Sequence, residues 1–384
     1  MIITTPTTPV ANLMAADHSN LTAVENQPLS GYIPTLDGWR AIAVAMVIVY
    51  HGMWESVPES LHELKLGFLG VDIFFALSGF LICSRLLQER RQEGRISLKS
   101  FYIRRAFRIL PPAYAYLLAL GVLTGLGWLV VHPSEFAGCL LLCRNYYPIG
   151  DAGRNWYTVH FWSLAVEEHF YLFFPALLAW YGRDIRRALH AVIVLAVAVA
   201  LLRSLDGIIL RWADGRLPAG AFHWTRTHVR LDALLWGCCA ALLVERFRGL
   251  LAPWCTPSLS FSLLTLAVLS FWLPLGLMWR SLVLPWMVVG TALHPSGWAG
   301  RFLELAPLRW VGRISYSLYL WQQLFCIGGL QGVAWLGVLQ TWPWNLMPLV
   351  VCASASYYLI ERPSIRIGHR LAANGNRGIG EITK

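Results

Sequence analysis

Ten stretches of the chain are apolar for long enough to cross a bilayer, or nearly so: 37–57, 67–88, 111–131, 161–181, 188–203, 230–245, 257–274, 278–294, 313–332 and 343–361. A span needs roughly 20 apolar residues, so the fifth, sixth and eighth are short. Arg280 blurs the boundary between the seventh and eighth. Lipid admits only helices and closed barrels as spanning structures. The pattern therefore predicts an all-α integral membrane protein, a single polytopic bundle of about ten transmembrane helices. Residues 1–31 hold no Lys or Arg and no apolar core. They read as a disordered polar tail rather than a signal peptide.

The loops orient the bundle. Segment 84–108, "SRLLQERRQEGRISLKSFYIRRAFR", carries eight Lys or Arg. If it is cytoplasmic, alternation gives that side 21 of the 31 basic residues and the other side nine. The positive-inside rule then places both termini in the cytoplasm, including a C-terminal tail at 366–384, in a multi-pass protein of the cytoplasmic membrane. No internal repeat is visible, which speaks against a transporter built from inverted halves.

Composition agrees. Hydrophobic residues make up 57% of the chain and charged residues 14%, against roughly 25% charged in a soluble domain. A net charge of +10 is a topology signal here, not a sign of nucleic acid. The eight cysteines include no CxxC or Cys/His zinc pattern, and nothing calls for a metal.

Ionisable groups within apolar runs are costly and point to function. Arg40 and His51 lie at opposite ends of the first run, about 16 Å apart along a helix. On this topology His51, Asp72, the Glu167–Glu168 pair, Arg230 with Asp232, and Gln322 with Gln323 come from five spans at similar depth in the outer half. A cavity open to the outside accounts for them. Each has a plainer reading. His51 can be a packing residue, and Asp72 and Asp232 can mark helix starts. Glu167 and Glu168 point about 100° apart, so one can face the cavity while the other caps a helix or pairs with arginine. His132, His160, His169, His223 and His228 lie in or near outer loops and read mostly as solvated, His169 less clearly. On the inner side "FYIRRAFRILPP" sets Arg104, Arg105 and Arg108 before the third span. They are either headgroup contacts or a phosphate site. Pro111 and Pro112 are expected to start the next helix.

Together these residues resemble the acyltransferase-3 family of membrane acyltransferases, which modify cell-surface and secreted glycans. The resemblance rests on "LDGWRAIAVAMVIVYH", with the family's Arg-x10-His at Arg40 and His51, and on "GFLGVDIFFALSGFLI". It rests also on "FYIRRAFRILPP", with Arg-x-x-Arg at Arg105 and Arg108, and on "FWSLAVEEHFYLFFP". The late "ISYSLYLWQ" fits as well. It spans roughly residues 32–365. His169 departs from the Gln common after the Glu pair. The resemblance implies about ten spans, a cytoplasmic acyl-CoA co-substrate with no permanently bound cofactor, and transfer to a hydroxyl of a glycan or lipid-linked sugar. It implies a catalytic His51, with Arg40, Arg104, Arg105 and Arg108 handling the donor. Glu167 or Glu168 would orient the imidazole, and Asp72, Trp162, Ser163, Arg230, Asp232 and Gln322 are candidate acceptor-binding residues. His51 as a transient acyl carrier stays open. With no hydrolase-like domain after "YYLIERPSIRIGHR", a stand-alone transferase is expected. The competing class is a proton-coupled transporter of a sugar or lipid, which needs no inner arginine cluster.

Overall fold

The computed structural model describes residues 31–52, 65–147, 156–181, 183–212, 225–273, 276–327 and 336–382. Apart from Gly31, the tail 1–31 lies outside them, as does His223. The described residues form helices and no strand. The main ones are α1 (Thr35–Gly52), α2 (Leu66–Glu93), α3 (Leu98–Gly125), α4 (Pro133–Leu140), α5 (Phe161–Tyr181), α6 (Ile185–Trp212), α7 (Thr227–Leu251), α8 (Pro257–Leu269), α9 (Gly276–Leu293), α10 (Ala306–Arg313), α11 (Ser315–Phe325), α12 (Leu346–Ser356) and α13 (Arg362–Ile382).

Among the described residues, four segments are long and apolar enough to cross a membrane: Leu66–Glu93, Leu98–Gly125, Ile185–Leu205 and Thr227–Leu251. They divide by burial. The apolar windows of α2 and α7 are each 72% buried, against 33% in α3 and 28% in α6. The first two form the centre. The others present a bare apolar face, Leu118 at 70% and Val194 at 66% exposure, as a lipid-facing surface does. At the α2–α7 crossing a Cβ on Gly79 would lie 1.9 Å from the Leu234 carbonyl oxygen. Glycine alone permits that approach, and it brings the neighbouring Ser78 into the interior.

The basic segment 84–108 is a helical hairpin. Gly94 ends α2 at φ 72°, a left-handed backbone that glycine adopts without strain. Ser97 then caps α3, accepting from the Ser100 N–H. The prolines do not start a helix. Pro111 and Pro112 sit inside α3, which runs unbroken from Leu98 to Gly125. Proline costs a helix its local hydrogen bonding, but neighbours can brace such a site in a membrane bundle. Beside them the Tyr316 hydroxyl donates to the Ile109 carbonyl at 2.8 Å, which packs α11 onto this part of α3. Arg104, Arg105 and Arg108 thus ride on a continuous helix that points them inward.

The segment 366–384 is helical as far as Ile382. Helix α13 lies along α3, where Ser100 Oγ donates to the Ala372 carbonyl at 3.2 Å. A five-residue π-helical turn, Tyr357–Glu361, joins it to α12. It places Glu361 in the interior at 1% exposure.

Candidate active site

Residues of α1, α2, α3, α10 and α13, with the π turn, enclose a cavity of about 300 Å³. Six arginines line it (Arg40, Arg85, Arg104, Arg105, Arg108 and Arg313), facing Asp37, Glu89 and Glu361. Several are already engaged. Arg104 pairs with Glu89 at 2.7 Å and Arg40 with Asp37 at 3.4 Å. Arg105 stacks over Tyr171 at 5.0 Å and Phe101 at 5.7 Å. Glu361 accepts from Ser317 Oγ at 2.8 Å. Arginine still outnumbers carboxylate two to one around this space, and guanidinium groups are the side chains that pair bidentately with phosphate. His369 of α13 completes the wall. Burial first, then the charges of Arg104, Arg85 and Arg108, push its imidazole below the ordinary value.

A second, smaller cavity of about 100 Å³ shares Arg40, Arg105 and Arg108 with the first. Its wall includes Ser163, Glu167 and Tyr171, spaced four apart on α5 and so on one face. Glu167 is tied in. Ser78 donates to its Oε1 at 2.9 Å, and the Tyr171 hydroxyl lies 3.2 Å from its Oε2. Glu168 points elsewhere, as adjacent helical positions must, and leaves Oε1 buried without a hydrogen bond. Across the cavity α11 contributes Ser315, Tyr316 and Tyr319. The Tyr319 hydroxyl lies 2.6 Å from Ser163 Oγ and donates to the His160 carbonyl at 3.1 Å.

One turn further along α11, Gln322 reaches His51. Its Oε1 lies 3.0 Å from His51 Nδ1. Ser315 and Gln322 are thus about 10 Å apart on one helix, which leads from the arginines to the imidazole. The ring of His51 also meets Trp156 edge-on, with centroids 5.3 Å apart at 89°.

The predicted residues therefore separate into three groups. Arg40, Arg104, Arg105 and Arg108 do converge, and Glu167 and Ser163 stand beside them rather than beside His51. His51 and Gln322 form a second group. Asp72, Arg230, Asp232 and Trp162 form a third, and it lines neither cavity. Asp72 accepts from Arg230 through a short contact and from Arg280 Nε at 3.0 Å. Asp232 takes Arg203 at 2.8 Å. Arg230 stacks over Trp162 at 5.3 Å. These charges pair with one another instead of opening to water. Their carboxylates are 0% exposed.

His160 corrects another expectation. It is 3% exposed rather than solvated. The rings of Phe161, Tyr116 and Tyr319 surround it at 5.0, 5.4 and 5.6 Å. His169 bonds Thr227 Oγ1 at 2.7 Å. Sequence reasoning passed over Ser78, Tyr171, Tyr319 and Glu361. The spacing of Ser163, Glu167 and Tyr171 could have revealed one of them. Nothing local marks Glu361, which follows the last apolar run like any interfacial carboxylate.

Comparison with known proteins decides the family. Residues 33–361 match the family described as an acyltransferase domain, Acyl_transf_3. The chain belongs to that family. Among its relatives is a Staphylococcus aureus (strain COL) protein provisionally named O-acetyltransferase SACOL0978. It is 33% identical over 316 residues, which cover 76% of this chain and 50% of the relative. A Bacillus subtilis (strain 168) protein, provisionally named peptidoglycan O-acetyltransferase YrhL, is 31% identical over 373 residues, 88% of this chain and 56% of its own. The peptidoglycan O-acetyltransferase OatA of Listeria monocytogenes is 29% identical over 327 residues, 76% and 49%. The chain thus spans about half the length of these relatives. No solved structure matches it.

Proposed function

We propose that this member of the acyltransferase family moves an acyl group, acetyl in the simplest case, from cytoplasmic acyl-CoA to a hydroxyl of a cell-surface glycan, lipid-linked sugar or glycosylated metabolite. One observation carries the reading. An arginine-lined cavity shares Arg40, Arg105 and Arg108 with a smaller polar cavity, and α11 runs from that cavity to His51. A polyanionic donor fits the first space, a narrow acyl arm the second, and a base stands at the end of the route. The names of two relatives make peptidoglycan the first acceptor to test.

In this mechanism Arg40, Arg104, Arg105 and Arg108 hold the donor phosphates on the cytoplasmic side, within a bundle of about ten spans whose termini are both cytoplasmic. The acceptor arrives from the opposite side. His51 takes the proton of the acceptor hydroxyl as the oxygen bonds to the thioester carbonyl carbon. The carbon–sulfur bond then breaks, and the departing CoA thiolate receives the proton from the imidazolium. Ser163 and Tyr319 line the acyl path. Glu167 keeps Ser78 and Tyr171 in place beside Arg105.

The test uses the full chain in nanodiscs with radiolabelled acetyl-CoA, following CoA release and label transfer to peptidoglycan fragments and other surface glycans. Wild-type transfer that His51→Ala abolishes supports the reading. Stable label on the wild-type protein replaces general-base transfer with an acyl-histidine carrier. Folded wild type that neither binds nor cleaves acetyl-, succinyl- or longer acyl-CoA overturns the proposal in favour of transport.

A further inference from the structure

His51 is held by neutral groups. Its Nδ1 meets the amide oxygen of Gln322, and Gln322 is 0% exposed. Trp156, edge-on to the imidazole, is locked by a reciprocal pair of hydrogen bonds. Its indole N–H donates to the Gln323 carbonyl at 3.1 Å, and the Gln323 amide donates to the Trp156 carbonyl at 3.0 Å. The next residue after His51 is also tied down, since Asn345 Nδ2 donates to the Gly52 carbonyl at 3.5 Å. Among the described residues no carboxylate hydrogen-bonds to His51. Glu167 has its oxygens on Ser78 and Tyr171 instead.

An amide oxygen can only accept a hydrogen bond. For Gln322 Oε1 to bond His51 Nδ1, that nitrogen must carry the proton, which leaves Nε2 bare and basic. The reversed amide would donate to Nδ1 and put the proton on Nε2, where the ring cannot act as a base from its far edge. The other end of Gln322 has no partner, since Nε2 is buried without a hydrogen bond. An apolar side chain would avoid that penalty. Among the described residues, holding the imidazole is the polar contact that the Gln322 side chain makes.

We propose that Gln322 is the positioning residue of the transfer. It fixes His51 as the Nδ1–H tautomer so that Nε2 takes the acceptor proton, a task that a triad gives to a carboxylate. This rests on His51 being the base. The bond changes are those of the proposed transfer: acceptor oxygen to acyl carbon forms, carbon to sulfur breaks, and the proton passes through Nε2 to the thiolate. Gln322 exchanges no proton.

The experiment pairs structure with rate. The full chain is labelled with 15N-histidine in nanodiscs, and His51→Ala identifies the His51 resonances. Wild type is expected to show Nδ1–H. Gln322→Ala is expected to revert toward the Nε2–H form that free imidazole favours. The same variant should lower kcat about 10- to 100-fold with the acetyl-CoA KM within about twofold, and Gln322→Glu, which keeps an acceptor oxygen, should recover most of the loss. An Nε2–H tautomer in wild type overturns the proposal. So does an unchanged tautomer or an unchanged kcat in Gln322→Ala. If Gln322→Ala does not fold, the wild-type tautomer and the rate of Gln322→Glu decide. If the wild-type protein cleaves no acyl thioester, the reading of His51 as base fails, and the tautomer measurement still judges the contact itself.

Discussion

Two sets of arginines do opposite things in this fold. Arg203, Arg230 and Arg280 close on Asp72 and Asp232, whose carboxylates have no solvent exposure. Arg40, Arg105 and Arg108 face two cavities, and the larger of these is lined by six arginines and three acids. In the first set each charge is consumed by the fold. In the second the protein leaves charge available, at the cost of concentrating like charges. Residue type does not separate these uses, and the partners do. A buried carboxylate held by arginine indicates structure, whereas clustered arginines around an open space indicate a ligand.

The comparison breaks most visibly at Asp72. Asp72→Ala leaves Arg230 and Arg280 without their acid, and removing one partner from such a buried pair costs about 3–5 kcal/mol. Thermal unfolding in detergent should show that loss, while the surviving folded protein keeps its acetyl-CoA KM. Next in size is Arg108→Gln in the cavity set. Losing a charged hydrogen bond to phosphate, worth about 1.5–3 kcal/mol, should raise the donor KM about 10- to 100-fold, with little change in unfolding temperature. A stability loss as large as that of Asp72→Ala would put Arg108 in the wrong set.

Glu167→Gln sharpens the boundary between the arginines and His51. It keeps the shape but removes a charge from the shared cavity. The expected outcome is a KM change of a few-fold, up to about tenfold, with the tautomer of His51 unmoved. A kcat collapse with unchanged KM would return Glu167 to the imidazole. The smallest effect belongs to His369. Its imidazole is depressed by burial and by Arg104, Arg85 and Arg108, so it is neutral above its ordinary range and charges only on acidification. Added positive charge favours an anion, so donor affinity should rise a few-fold as pH falls through that depressed value. His369→Gln should flatten the KM–pH profile on that limb. Titrating KM against pH at fixed ionic strength checks this, since salt screens such contacts over about 8–10 Å.

Much of this was readable before any fold. The apolar runs at 67–88, 111–131, 188–203 and 230–245 overlap the four helices that, among the described residues, are long and apolar enough to cross a membrane. The Arg105–Arg108 spacing put both side chains on one helical face, and the rise of a helix set Arg40 and His51 about 16 Å apart. These are local properties, dictated by periodicity and by the solvent a helix needs. The prolines of α3 were harder. A Pro-Pro pair suggests a helix start when read alone, yet α3 runs through it from Leu98 to Gly125.

By itself, then, the sequence determined the helical character, the family motifs and the distance between the two ends of α1. Only the tertiary structure decided which polar residues meet. His51 and Gln322 are 271 positions apart, Arg230 and Asp72 158, and Arg280 and Asp72 208. Depth along a helix can be counted from sequence. The direction in which a side chain leaves the helix, and which helix it meets there, is fixed by close packing such as the Gly79 crossing. That is why a carboxylate at the right depth, Glu167, stands with the arginines, and a neutral glutamine holds the imidazole.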